Sequence, residues 1–297
     1  MNAVVLGGGK SNDPVALAAG VEVKALVLLE GRTMAWHVLR ALRESGKIDH
    51  IVYVGPIVPD FESLIDTHVP GHDGMLENLE AGLKALEALR PAGVSADHAA
   101  GHVSAGHVSA GHVSAGDVST GHVSIDRALV VTADVPLLTA IAVRDLFARD
   151  PGSALVYPVV TERACESQFP GGRRTYARVR EGKFTGGNLF LVEPRLVSKF
   201  MPKLRQVIAN RKNPLVLAGI IGPGILIKFL LGRVRIVELE ARVSHILGVP
   251  AKALISEHAE IGFDVDKADD LEIVRQRLER RRAPNTGTGL PALGGDA

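Results

Sequence analysis

The chain has 297 residues, of which 46% are hydrophobic, 4% aromatic and 23% charged, and its formal net charge is +1. This hydrophobic content is enough to form the core of one large domain. The small net charge and the few aromatic residues argue against a nucleic-acid partner. A single cysteine excludes an internal disulfide, and the N-terminal stretch lacks a signal-peptide pattern, so we expect a cytoplasmic protein.

The N-terminal stretch combines a predicted strand with a run of glycines. Residues 3–6 are apolar and have the length and β-branched content of a buried strand, and three glycines at 7–9 and then Lys10 follow directly. Glycines let backbone N–H groups close around an anion, and a lysine adds positive charge. The dinucleotide fingerprint would need a glycine at Asn12, and the Walker loop would need one at Val4. We therefore interpret the run as a phosphate loop of another kind.

The next hundred residues alternate between helix and strand patterns. An amphipathic helix is predicted over 34–45 and a buried strand over 48–54, which together with the first strand implies a right-handed parallel crossover. A further helix is predicted after 74, with Asn78 near its start. Asparagine is an ordinary residue of a helix N-terminus, and the family resemblance given below implies the alternative, a contact of Asn78 with a nucleotide base.

Residues 92–124 form a low-complexity insert in which five-residue units such as GHVSA repeat almost unchanged. One interpretation is a histidine array for metal, and the other is a tandem expansion in a surface loop. We favour the second, because a period of five keeps the imidazoles on one face of neither a helix nor a strand.

After the insert, an apolar strand over 127–133 delivers Asp134 at its carboxyl end, followed by Val-Pro-Leu-Leu. Ligands of open α/β sheets bind beyond the carboxyl ends of the strands. Mg²⁺ in nucleotide sites typically takes one or two carboxylates together with phosphate oxygens and waters. Asp134 is therefore our strongest candidate metal ligand, and the alternative is that it caps the next helix.

The second half of the chain has a basic segment that ends in Gly-Gly-Asn at 186–188. Arginine guanidinium groups can bind a phosphate through two parallel hydrogen bonds, so this segment suits a phosphorylated ligand, and its glycines let a ligand approach the backbone. Its basic residues are Arg173, Arg174, Arg178, Arg180 and Lys183.

The apolar segment 214–231 approaches the length of a membrane span, but Gly222-Pro223-Gly224 would break a spanning helix. Contact with a membrane surface or a homodimer interface through 214–231 stays open and is not favoured. Residues 233–239 alternate as a strand does. A final helix is predicted over 271–281, and residues 281–297 are predicted to be a disordered tail.

Three motifs, in this order, resemble the nucleotidyltransferases of the molybdenum cofactor guanylyltransferase-like family, which have a glycosyltransferase-A-like fold. They are the glycine loop with Lys24, TADVPLL at 132–138 and FDVDKADDL at 263–271. The resemblance covers about residues 1–90 and 125–275, and it departs from the family where Lys10 replaces the usual loop arginine. It implies an α/β fold, a Rossmann-like three-layer sandwich with a mostly parallel sheet. The single domain would span 1–280, interrupted by the insert.

The resemblance also implies a Mg²⁺-dependent enzyme that joins an NTP to a phosphorylated small-molecule acceptor and releases pyrophosphate. The residues that it assigns to the nucleotide are Leu6, Gly7, Gly8, Gly9 and Asn78. Lys10 and Lys24 would stabilise developing charge, and Asp134 would bind the metal with Asp264 or Asp266, a choice left open. The residues that it assigns to the acceptor are Gly187 and Asn188, with Arg173, Arg174 and Lys183 as weaker candidates. The alternatives are a non-catalytic nucleotide-binding protein and a membrane-associated scaffold.

Overall fold

The computed structural model describes residues 1–10, 12–89, 127–172, 174–209, 219–220 and 222–282. The predicted repeat insert lies outside the described residues, and so do Arg173, residues 214–218 and 221 of the apolar segment, and residues 283–297 of the predicted tail.

The strands of the parallel core at 2–6, 50–54 and 128–132 are the short apolar runs that the sequence predicts. In chain order the described strands are β1 (Asn2–Leu6), β2 (Leu28–Leu29), β3 (Arg32–Thr33), β4 (His50–Val54), β5 (Thr67–Val69), β6 (Ala128–Thr132), β7 (Leu155–Thr161), β8 (Ala177–Val179), β9 (Gly182–Gly186), β10 (Leu189–Val192) and β11 (Ala251–Ser256). Within the described ranges, nine of them form one sheet in the order β5–β4–β1–β6–β10–β7–β9–β8, with β11 also paired to β7. The remaining two, β2 and β3, form a separate hairpin.

The core of this sheet is parallel. Strands β5, β4, β1 and β6 run in the same direction, and β11 is parallel to β7. Strand β10 lies antiparallel between β6 and β7, and the β8–β9 hairpin extends β7 in antiparallel pairing. This mixed, mostly parallel sheet confirms the predicted fold class.

Helices cover both faces of the sheet. In chain order the longer described helices are α1 (Pro14–Ala18), α2 (Met34–Glu44), α3 (Met75–Ala88), α4 (Ala140–Ala148), α5 (Glu162–Gln168), α6 (Pro194–Ala209), α7 (Pro223–Leu230), α8 (Ile236–Leu247) and α9 (Ala268–Arg282). Alternate residues of β1 point to opposite faces, where one core packs against α2, α4 and α9 and the other against α3 and α6. The result is the predicted three-layer sandwich.

One prediction for the C-terminal part was wrong. Residues 233–239 do not form a strand, because α8 begins at Ile236 and continues to Leu247, where Gly248 ends it in a left-handed conformation with φ of 64°. The last helix begins at Ala268 and reaches Arg282, so it overlaps the predicted start of the tail. Among the described residues, none of the helices has the length and apolar character needed to cross a membrane.

Candidate active site

The carboxyl ends of three parallel strands bring the predicted site residues together. Leu6 pairs in register with Val54 of β4 and with Thr132 of β6, so the segments after these strands leave the sheet at one level. Those segments are residues 7–9, 55–56 and 133–134. The Ala133 amide donates to the Leu6 carbonyl over 2.9 Å and so fixes Asp134 beside the glycine loop. This edge is where open α/β sheets bind ligands.

The first two amides of the glycine loop already have an acceptor. The N–H groups of Gly7 and Gly8 both donate to the Val54 carbonyl, over 2.7 and 2.8 Å. These hydrogen bonds pin the loop to β4, so in this conformation neither amide is available to phosphate. The predicted phosphate contacts of the Gly7 and Gly8 amides would require these hydrogen bonds to break. Within the described residues the Gly9 amide has no such partner, which makes Gly9 the glycine whose amide a ligand can reach.

Close packing explains why glycine stands at positions 7 and 8. A Cβ on Gly7 would lie 2.1 Å from the hydroxyl of Tyr53, and a Cβ on Gly8 would lie 2.6 Å from the amide nitrogen of Asn78. Real carbon contacts are about 3.5 Å or longer. A Cβ on Gly9 would meet nothing within 4 Å, so the loop is packed at its start and open at its end.

Asn78 holds a neighbouring loop. It is fully buried near the start of α3, its Oδ1 accepts the His72 N–H over 2.6 Å, and its Nδ2 donates to the His72 carbonyl over 2.9 Å. Both polar atoms of the amide are therefore used by backbone. In this structure Asn78 fixes the 70–73 loop against Gly8, and the base contact stays a prediction.

A cavity of about 230 Å³ lies between the end of the glycine loop and this 70–73 loop. Its wall is largely backbone, with the His68 imidazole, itself hydrogen-bonded to the Gly55 carbonyl, on one side. The lining residues are Gly8, Gly9, Glu22, Val23, Gly55, Pro56, His68, Pro70, Gly71, His72 and Asp73. Val23 directly precedes Lys24, so the cavity adjoins the charged cluster described next.

Three predicted metal ligands converge at the other side of the loop. One carboxylate oxygen from each of Asp134, Asp264 and Asp266 lies within 4.8 Å of the others. The Val265 amide donates to the Asp134 carbonyl over 3.0 Å, which ties the strand end after β6 to the loop before α9. Both Asp264 and Asp266 therefore belong to the cluster, although the sequence left the choice between them open. The Oδ1 atom of Asp134 is buried and has no hydrogen-bond partner within the described ranges.

Lys24 lies inside this cluster instead of projecting freely into the cleft. Its Nζ is 3.0 Å from Asp134 Oδ2, 2.9 Å from Asp266 Oδ1 and 3.0 Å from the Val265 carbonyl. An ammonium group has three N–H donors, so these contacts use all of them. Asp13, which caps α1, adds a further carboxylate 4.0 Å from the same nitrogen. Lys24 thus connects Asp13, at the start of α1, to Asp134 and Asp266 of the carboxylate cluster.

The electrostatics of the cluster follow from burial and from these pairs. Burial, reinforced by the charge of Asp134, raises the pKa of Asp264 to about 6. Burial alone would raise the pKa of Asp266 as well, but the hydrogen bond from Lys24 lowers it below the usual range. Burial would lower the pKa of Lys24, yet the two carboxylates that it contacts raise it, so the ammonium stays charged.

Arg174 orients the acidic cluster. Its guanidinium donates to Asp264 Oδ1 over 2.6 Å and to the Asp264 carbonyl, stacks 4.0 Å from the centre of the Phe263 ring, and lies 3.7 Å from Asp270. The side chain is only 8% exposed. Its terminal nitrogens are directed at Asp264 and Asp270, its buried Nε has no hydrogen-bond partner among the described residues, and the acceptor contact stays a prediction.

The remaining predicted acceptor residues lie along β9 and β10. A Cβ on Gly187 would lie 2.8 Å from Ile261, so packing against Ile261 accounts for this glycine. The backbone N–H of Asn188 donates to the Ile261 carbonyl over 2.9 Å. Its side chain is half-buried, and the side-chain Nδ2 lies 3.4 Å from the same oxygen. Lys183 is exposed and pairs with Glu162, which leaves it a weak candidate.

Two residues next to the site had no sequence signal. The Tyr53 hydroxyl is buried beneath Gly7 and, within the described part of the chain, has no hydrogen-bond partner; burial raises its pKa. Asp13 was passed over because its role as the cap of α1 gives no hint that Lys24 approaches it. The sequence of β4, HIVYV, does not indicate that Gly7 covers Tyr53.

Comparison with known proteins agrees with this geometry. A family model described as the MobA-like NTP transferase domain matches residues 3–220. A hypothetical transferase from Thermus thermophilus is 39% identical in sequence, covers 91% of this chain and 100% of its own, and superposes with a TM-score of 0.71. CMP:2-keto-3-deoxy-manno-octonic acid synthetase complexed with CTP is 11% identical over 95% of this chain and 100% of its own, with a TM-score of 0.52, and shares the fold. No curated protein matches the chain.

The mostly parallel sheet places the glycine loop and the carboxylate cluster at its carboxyl edge, and the chain shares its fold with that synthetase. The chain belongs to the MobA-like NTP transferase family, since the family model covers most of its length. The family resemblance drawn from the three sequence motifs is thereby confirmed.

Proposed function

We propose that this nucleotidyltransferase requires Mg²⁺ and joins an NTP to a phosphorylated small-molecule acceptor with release of pyrophosphate. The observation that carries the proposal is the cluster of three carboxylates beside the glycine loop, in which Asp134 Oδ1 is buried without a partner among the described residues. A buried carboxylate oxygen without a donor is costly. A cation at this position would remove that cost.

The residues present fit a magnesium ion. Asp134, Asp264 and Asp266 offer only oxygen donors, which is the donor type that this hard cation takes. When bound, a divalent ion neutralises negative charge on phosphate oxygens at the reacting centre. Lys24 would keep the carboxylates in place and add a fixed positive charge, and Arg174 would hold Asp264 in its orientation.

The cavity beside Gly8 and Gly9 is our candidate for the nucleobase. Its volume of about 230 Å³ is small for a whole nucleotide, so the triphosphate would extend out of it, past the Gly9 amide and the exposed Lys10, toward Asp134. Gly7 and Asn78 do not line the cavity, and the Gly7 amide and both polar atoms of the Asn78 side chain are already hydrogen-bonded. Asn78 would therefore act indirectly, by holding His72 in the cavity wall.

In the proposed reaction, an oxygen of the acceptor phosphate forms a bond to the α-phosphorus of the NTP. The bond from that phosphorus to the oxygen bridging to the β-phosphate breaks, and pyrophosphate leaves. A phosphate that is ionised at neutral pH needs no general base, so catalysis would consist of positioning and charge stabilisation. Asn188, Gly187 and Arg173 remain our candidates for acceptor contacts.

Calorimetric titration with ATP, CTP, GTP and UTP, each with and without Mg²⁺, tests the nucleotide and metal parts of the proposal. We expect one NTP to bind only with Mg²⁺, and this binding to be lost in Asp134→Asn. Asp145→Asn is the matched control, because Asp145 lies on α4 and pairs with Arg149 away from the cluster. The control should bind as the wild type does.

Binding that is equal with and without Mg²⁺, and equal in Asp134→Asn and wild type, would contradict the metal site. That outcome would favour the alternative of a non-catalytic nucleotide-binding protein that keeps the fold. Failure of all four nucleotides to bind would remove the basis of the proposal.

A further inference from the structure

Helix α7 has one packed face and one exposed apolar face. Ile225 and Phe229 pack into a small core with the β8–β9 hairpin. On the opposite face Ile227, Leu230 and Leu231, spaced at i, i+3 and i+4, are 57%, 71% and 61% exposed. Adjacent large aliphatic side chains exposed to this extent indicate a surface that contacts something other than water.

Exposed arginines lie near the C-terminal end of α7. The side chain of Arg178 lies over Gly232, and the Arg180 amide donates to the Val234 carbonyl over 2.8 Å, so the β8–β9 hairpin is in contact with the segment that follows α7. That segment adds two more exposed arginines. The four are Arg178, Arg180, Arg233 and Arg235, and in the described residues none of them has an ion-pair partner.

Two carboxylates, Glu238 and Glu181, lie among the four arginines and offset their positive charge only in part. Glu238 pairs with Lys228, and Glu181 accepts the backbone N–H of Ile236 over 3.2 Å. This corner of a chain with a net charge of only +1 therefore carries a concentration of positive charge. We call the exposed face of α7 together with the four arginines the α7 patch.

We propose that the α7 patch docks on an anionic membrane surface, with Ile227, Leu230 and Leu231 inserted at the level of the lipid headgroups. An anionic bilayer offers negative charge above apolar chains, which matches unpaired arginines beside exposed aliphatic side chains. Helix α7 has 8 residues and is therefore about 12 Å long, so it would lie in the interface and not cross the bilayer. Phe229, the aromatic residue of the helix, faces inward, which disfavours a base-stacking nucleic-acid surface.

The test is co-sedimentation of the full chain with vesicles of phosphatidylcholine alone and of phosphatidylcholine mixed with phosphatidylserine. We expect binding to the mixed vesicles that weakens with added salt, and little binding to the neutral ones. Charge reversal in Arg178→Glu/Arg233→Glu should weaken binding at least about tenfold, and Leu230→Ser/Leu231→Ser should also weaken it. Arg275→Glu and Ile141→Ser, at exposed positions on α9 and α4, should bind as the wild type does.

Thermal melting of each variant shows whether it is folded. All four replaced residues of the α7 patch are exposed, so we expect their variants to melt at the same temperature as the wild type. Absence of binding to the mixed vesicles would overturn the proposal. So would equal binding by the patch variants and the wild type. Self-association through this face that disappears in Leu230→Ser/Leu231→Ser, without vesicle binding, would show that a second copy is the occupant. None of these outcomes depends on nucleotide binding, so they are independent of the proposed function.

Discussion

The packing beneath the glycine loop gives a sharp prediction for Gly7→Ala. The added Cβ would lie 2.1 Å from the Tyr53 hydroxyl, 2.3 Å from Cζ and 2.6 Å from Cε2. The ring would have to retreat by about 1 Å to restore a normal contact. Tyr53 is fully buried, and its ring centre is 4.9 Å from that of Phe61, so it has little room. Overpacking of this kind costs about 1–3 kcal/mol in the free energy of unfolding.

Gly9→Ala is the matched control, because a Cβ there would meet nothing within 4 Å. We expect the control to change the free energy of unfolding by less than about 1 kcal/mol in either direction. Urea unfolding followed by circular dichroism measures both. A double-mutant cycle with Tyr53→Leu tests the cause, since Gly7→Ala should cost less in that background. Equal stabilities of the two alanine variants, or a cycle without coupling, would refute the packing explanation.

Three further predictions concern the charged cluster and the loop beside it. Because burial raises the pKa of Asp264 to about 6, ionising it disfavours the folded state, so without metal the wild type should lose stability relative to Asp264→Asn as pH rises from about 4 to 6. Lys24→Met should lower the free energy of unfolding by about 1–3 kcal/mol, because Asp134 and Asp266 lose their partly buried counter-charge, and Mg²⁺ should restore part of the loss. Asn78→Ala should cost about 1–3 kcal/mol, because it removes a fully buried side chain together with its two hydrogen bonds to the His72 backbone.

Each of these has a measurement that can contradict it. The pH dependence is checked by urea unfolding of the wild type and Asp264→Asn in the presence of a chelator, from about pH 4 to 6. If the free energies of unfolding of the two proteins change in parallel, ionisation of Asp264 does not affect stability. For Lys24→Met, the free energy of unfolding is measured with and without Mg²⁺. Equal values under the two conditions would show that Lys24 and a bound ion do not interact. For Asn78→Ala, a stability equal to that of the exposed control Gln276→Ala would show that the contact with His72 is dispensable.

The parallel core and Asp134 could be predicted because both depend on local patterns. Each of the first three core strands is a short apolar run, and Asp134 follows one of them directly. The carboxyl ends of parallel strands lie at one edge, so a residue at that position belongs to the ligand-binding edge wherever the strand sits in the sheet. Pattern alone could not show that antiparallel β10 lies between β6 and β7, because burial does not specify strand direction.

The strand prediction at 233–239 was wrong because seven residues are too few to distinguish the two-residue period of a strand from the 3.6-residue period of a helix. Seven residues of alternating character also fit the first turns of a helix, and the helix becomes evident only when Ile236, Leu239 and Val243 are taken together with Gly248, which ends it. A longer window would have favoured α8.

The roles of Arg174 and of the loop amides could not be predicted because their partners are distant in sequence. Arg174 has the chemistry of a phosphate contact, but it meets Asp264, 90 residues further on. Likewise, nothing near Gly7 in the sequence indicates that the Val54 carbonyl accepts its amide. In both cases the partner is brought close only by the folding of the chain, so the local sequence could not indicate it.

The central claim is Mg²⁺-dependent transfer to a phosphorylated acceptor, and pyrophosphate release tests it most directly. The assay supplies the NTP that binds, a pool of phosphorylated small molecules and Mg²⁺, and compares the wild type with Asp134→Asn. We predict pyrophosphate release that needs both the metal and the phosphorylated pool and that stops in the variant, while Asp145→Asn remains active. Release of orthophosphate instead, or of no phosphate product while the nucleotide binds, would contradict attack at the α-phosphorus.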